Sequence, residues 1–64
     1  MWTYQIDLGP DATYTTDNVS SAAIVARTVA EGAGICEMKC INDHGGGYVA
    51  VYGQDGQVLE RKNL

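Results

Sequence analysis

Basic side chains are scarce in this chain. Its 64 residues contain only Arg27, Lys39, Arg61 and Lys62 against eight carboxylates, for a formal net charge of −4. Binding to nucleic acid rests on a positive footprint that displaces counterions from phosphates, so this balance argues against direct nucleic-acid contact. Long apolar runs are also missing. The longest helical one, Ala22 to Ala26, is far too short to cross a bilayer. Met1-Trp2-Thr3-Tyr4 lacks the basic opening and following apolar stretch of a secretory signal, so the expected setting is cytoplasmic, without a membrane partner. There is no internal repeat, low-complexity tract or interdomain linker.

Cysteine is nearly absent as well. Cys36, Cys40 and His44 are evenly spaced, which invites a zinc reading. On an extended strand, however, positions four apart lie about 13 Å from one another, too far for one tetrahedral ion or for a disulfide. The expected state is two reduced core thiols and no metal. Asp43 and His44 are adjacent on a turn and have no nucleophile beside them, and the Gly45-Gly46-Gly47 triplet runs into a strand rather than a helix N-terminus. Acid–base catalysis and phosphate binding both lack their context. The chain reads as a non-enzyme with no cofactor.

What is present describes one small folded domain. A hydrophobic fraction of 45% with 19% charged residues is that of a globular protein. A chain of this length buries only about 60% of its unfolded surface, and small domains of this kind draw added stability from disulfides, metals or self-association. Trp2, Tyr4, Ile6 and Leu8 alternate with Thr3, Gln5 and Asp7, the period-two signature of a half-buried strand. Gly9-Pro10-Asp11 ends it. Ala12 to Thr16 reads either as a short returning strand or as a loop. Asp17, Asn18 and Ser20 are N-cap candidates for a helix over Val19 to Glu31, with Val19, Ala22, Val25, Ala26, Val29 and Ala30 on one side and Gly32 and Gly34 to stop it.

Ile35 to Asn42 predicts a strand with Cys36, Met38 and Cys40 on one face and Glu37 and Lys39 on the other. Asp55-Gly56 predicts a type I′ hairpin, followed by an edge strand ending in Glu60-Arg61-Lys62, charges that discourage further pairing. The fold class is therefore α+β: an antiparallel sheet of three to five strands packed on one face by a single helix. Its expected core is Trp2, Tyr4, Ile6, Leu8, Val19, Ala22, Ala26, Val29, Cys36, Met38 and Cys40.

The run Tyr48-Val49-Ala50-Val51-Tyr52 breaks the alternation that a half-wet strand should show. One helix covers one face, so half of this run must point away from it. Tyr48, Ala50 and Tyr52 are the expected outward set, because aromatic rings with hydroxyl tips suit an interface. Ile24, on the polar side of the helix beside Ser20, Arg27 and Thr28, is a second candidate anchor. The acidic N-terminal half supplies Asp7, Asp11 and Asp17, which fit a basic protein partner. These seven residues form the predicted partner-binding set.

The helix opening Ser20-Ser21-Ala22-Ala23-Ile24-Val25-Ala26 and the hairpin Tyr48-Val49-Ala50-Val51-Tyr52-Gly53-Gln54-Asp55-Gly56 resemble small proteins encoded by bacteriophages and prophages. Among these are anti-CRISPR proteins in which one helix packs on a short antiparallel sheet. That resemblance implies an inhibitor acting by surface occlusion, with a basic surface of a nucleic-acid-handling complex as its partner. Basic members of that group also bind nucleic acid, and the acidity of this chain departs from them. The alternative reading is a homodimeric accessory protein that uses its apolar sheet face to pair with itself.

Overall fold

The computed structural model describes residues 1–64. Five strands and one helix follow in the order β1 (Thr3–Gly9), β2 (Ala12–Thr16), α1 (Val19–Ala33), β3 (Ile35–Ile41), β4 (Gly47–Gly53) and β5 (Val58–Asn63). The strands form one antiparallel sheet, ordered β2-β1-β3-β4-β5. The fold is α+β, at the upper end of the expected strand count, and residues 12–16 form a strand. Proline at position 10 stops β1, and the Asp7 carboxylate accepts a hydrogen bond from the Gly9 backbone N–H at 3.0 Å, which tightens the turn into β2.

Helix α1 begins where the capping chemistry places it. Asn18 has extended backbone, and its side-chain oxygen accepts from the Ser21 N–H at 3.0 Å. Gly34, one of the two expected stops, ends the helix in the left-handed region with φ of 88°, so α1 runs two residues past Glu31. Ala22, Ala26 and Ala30 are fully buried along the inner stripe. Their small side chains let the helix lie close to the sheet, so the larger core volume comes from the strands. Ile6 and Cys40 are completely enclosed, with Tyr4, Cys36, Met38, Ala50 and Tyr52 around them.

Trp2, Leu8 and Val19 depart from the expected core, with exposures of 39%, 47% and 56%. Each follows the correct periodicity but lies at the margin of the helix footprint. Trp2 precedes β1, Leu8 sits beside the register shift at the end of β1, and Val19 is the first residue of α1. Periodicity assigns a face, and only packing decides whether that part of the face is covered.

The tyrosine expectation reverses. The β3–β4 register pairs Cys36 with Tyr52, Met38 with Ala50 and Cys40 with Tyr48. Paired residues share a sheet face, so Tyr48, Ala50 and Tyr52 point toward the helix along with the cysteines. Ala50 and Tyr52 are buried, and Tyr48 packs against the same cluster. It is Val49 and Val51 that face away.

Both hairpins of the β3-β4-β5 meander use the same turn. Asn42 N–H donates to Gly46 O and Gly45 N–H to Asn42 O; Gly53 N–H likewise donates to Gln57 O and Gly56 N–H to Gly53 O. Gly45 and Gly56, with φ of 81° and 84°, occupy the left-handed position that closes each three-residue loop. Asp55 has negative φ, so the second turn is not the expected type I′.

Candidate functional site

The seven predicted partner-binding residues do not converge. Tyr48, Ala50 and Tyr52 lie under the helix. Ile24 is 63% exposed on the opposite, outward side of α1, where it borders a shallow depression with Val19, Ala23 and Arg27. Asp11 and Asp17 flank β2, one at each end, and Asp7 faces outward from the uncovered side of β1.

Burial shapes the titration of the inner face. It pushes the Cys36 thiol above its ordinary value, and the nearby Glu37 and Asp7 carboxylates add to the effect. The Cys40 thiol is also raised by burial, with the neighbouring Tyr48 side chain and Arg61 acting in the opposite direction. Burial likewise raises Tyr48, and its contact with Cys40 adds to the shift. Raised thiols hold little nucleophilic thiolate near neutrality. The polar turn engages its own backbone: Asn42 Oδ1 accepts from the N–H groups of His44 at 2.9 Å and Gly46 at 3.1 Å. The Asp43 carboxylate accepts from the Met1 amino group at 2.7 Å.

One cluster on the inner side was not visible in the sequence. The Trp2 ring meets the Tyr48 ring edge-on at 5.7 Å between centroids, and the Arg61 guanidinium sits 5.0 Å from the same ring centroid. Trp2, Tyr48 and Arg61 are far apart in the chain, and only the order β1-β3-β4-β5 brings them together.

The two sheet edges contrast. β5 carries Glu60, Arg61 and Lys62 and a register shift between Val51 and Tyr52, features that obstruct addition of another strand. β2 carries no charged residue, and the register shift in its pairing with β1 is confined to the turn end, between Asp7 and Gly9. Its sequence Ala12-Thr13-Tyr14-Thr15-Thr16 is uncharged and rich in residues that favour extended backbone. The first basic side chain in the whole sequence is Arg27, so Asp11 and Asp17 flank this edge without a nearby cation on β1 or β2.

The sheet face opposite the helix is organised in rows across the strands. One row runs Thr15, Gln5, Lys39, Val49, Lys62, each paired with the next. The adjacent row holds Thr13 paired with Asp7, then Glu37, Val51 and Glu60 paired in turn. A basic row therefore lies beside an acidic one, with a valine in each. Although no helix covers it, Val51 is only 6% exposed because its cross-strand neighbours Glu37 and Glu60 flank it. Within the chain, Lys62 Nζ lies 4.0 Å from Glu60 Oε2, with both side chains more than half exposed. Such a pair contributes about 0–1 kcal/mol.

No helix is long and apolar enough to cross a membrane. No protein-family model, curated protein or solved structure matches this chain in sequence or fold.

Proposed function

We propose that this protein is a non-enzymatic interaction domain that docks on a protein partner and acts by covering part of its surface. The observation that carries this reading is the β2 edge: an uncharged, β-prone strand at the rim of the sheet, with Asp11 and Asp17 at its ends. A free strand edge offers backbone donors and acceptors to an extended segment, and main-chain pairing of this kind supplies affinity without a deep pocket. The flanking carboxylates select a partner with basic residues around that segment. The resemblance to phage-encoded inhibitors points the same way, toward a basic surface of a nucleic-acid-handling complex and an anti-CRISPR mode of action.

Capture from bacterial lysate by the immobilised protein, run beside an Asp11→Asn/Asp17→Asn variant, tests the reading. The expected result is a specific protein retained at low salt, released as salt is raised, and lost or much reduced with the variant. Equal retention by both proteins, or retention of nothing, refutes it.

A further inference from the structure

The face opposite the helix has a property that neither row has alone: it is complementary to itself. Consider a two-fold axis lying in the plane of this face, perpendicular to the strands and passing between the two rows. Rotation about it lays the face of one copy on the face of another, keeps each strand over its counterpart, and exchanges the rows. Lys39 then stands over Glu37 of the second copy and Lys62 over its Glu60, with Gln5 over Asp7 and Val49 over Val51. Every pairing occurs twice because the operator is symmetric. We propose that this protein forms a symmetric homodimer through the uncovered sheet face, with the basic row of each copy seated on the acidic row of the other.

Charge distinguishes this arrangement from the other face-to-face two-fold. An axis running along the central strand β3 stacks Lys39 on Lys39 and Glu37 on Glu37, which places like charges opposite one another. The perpendicular axis converts all of these contacts into opposite-charge pairs. It also gives Val49 a partner. Val49 interrupts a polar surface at its middle, and the second copy places Val51, already closed in by its own neighbours, over it.

Size permits the contact. Five strands spaced by about 4.8 Å and about seven residues long at 3.3 Å each present roughly 500 Å² per copy. The total of about 1,000 Å² buried lies at the lower limit for a specific interface, which implies a salt-sensitive dimer. Aligned packing of two twisted sheets, with strands within about 30° of one another, is a common sandwich geometry. The β2 edges remain at the rim of such a sandwich, so the dimer is independent of the partner reading above.

Two charge-reversed variants test the proposal. Glu37→Lys/Glu60→Lys makes both rows basic, and Lys39→Glu/Lys62→Glu makes both acidic. All four sites are exposed, and circular dichroism checks that each variant folds. Sedimentation velocity at low salt is expected to give twice the 6.8 kDa chain mass for the wild type and the single chain mass for each variant. Dimer mass is expected to return when the two variants are mixed, because each row again faces its opposite. Raising salt should weaken the wild-type dimer at least tenfold. A wild type that stays monomeric at millimolar concentration in low salt overturns the proposal. So do folded variants that still dimerise alone, or a mixture that stays monomeric. Lysate capture that depends on Asp11 and Asp17 is a separate readout, so either reading can fail without the other.

Discussion

Three successive glycines, Gly45 to Gly47, lead into β4, the last of them as its first residue, and the structure assigns them three different roles. Gly46 has ordinary backbone, and a Cβ added there meets the Asn42 side chain at 3.5 Å, a normal contact. Gly46→Ala should therefore be neutral or stabilise by up to about 1 kcal/mol, because alanine narrows the unfolded ensemble. Gly45 has open space around it but adopts φ of 81° to close the turn. An L-residue in that region costs about 1–2 kcal/mol, so Gly45→Ala should destabilise by that amount and Gly45→Asn by less.

Gly47 differs from both. Its Cβ would overlap the backbone carbonyl oxygen of Cys40, an atom held in the β3 ladder. Relief requires β3 and β4 to separate where Ile41 pairs with Gly47, and where Gly47 O accepts from Leu64 N–H at 3.1 Å. Loss of that strand end places Gly47→Ala at about 3 kcal/mol, a large fraction of the roughly 3–10 kcal/mol expected for a domain of this length. Urea unfolding followed by circular dichroism and Trp2 fluorescence reads the series. With a slope of about 1 kcal/mol per molar, Gly46→Ala and Gly47→Ala should differ in midpoint by about 3 M. Midpoints within about 0.5 M of one another would refute the assignment of close strand approach to Gly47 alone.

The raised thiols of Cys36 and Cys40 give stability a defined alkaline limit. Their folded values exceed the unfolded value of about 8.5, so their contribution is fully present below that pH. It is lost as pH rises through and beyond it, because the unfolded chain releases protons that the folded chain retains. The urea midpoint of the wild type should fall between about pH 8 and pH 10, and Cys36→Ala/Cys40→Ala should show a shallower fall. Equal pH dependence in the two proteins would count against buried thiols as the cause. At the other end of the core, Asn18→Ala removes the side-chain acceptor of the Ser21 N–H and should lower stability by about 1 kcal/mol, whereas Asn18→Asp should retain most of it. Thermal melts of the three proteins check that ranking.

The sequence discloses the helix, its cap, the alternation in β1 and β3 and the two turns, because each depends on residues close together in the chain. It does not disclose which half of Tyr48 to Tyr52 faces the helix. An uninterrupted apolar strand has no inner-face signature, and a one-residue slip exchanges its faces. The deciding quantity is the length of the preceding turn. Closing the hairpin through Asn42 and Gly46 makes Cys40 meet Tyr48, whereas a register one residue to either side would have matched one cysteine with a valine and the other with a glycine, turning the valines inward. The signal was the left-handed glycine three residues after Asn42. The charged rows were hidden for a related reason. Glu37 and Lys39 are adjacent on their strand face, but their alignment with Glu60 and Lys62 depends on two registers and on the shift between Val51 and Tyr52.

The strand order also bears on how the molecule assembles in time. Of the four neighbouring pairs, β1–β2, β3–β4 and β4–β5 join strands that follow directly in the chain through short turns. The β1–β3 seam instead joins residues from Ile6 and Met38 to Thr3 and Ile41, separated by 32 to 38 positions with the whole helix between them. Compared with a three-residue loop, closing that span costs about 2 kcal/mol more chain entropy. The meander of β3, β4 and β5 and the β1–β2 hairpin are therefore both early-forming local units, and the β1–β3 seam that joins them is the late one. Zipping Gln5 against Lys39, while the alanine stripe of α1 seats across both pieces, is the step that commits the chain to its native state.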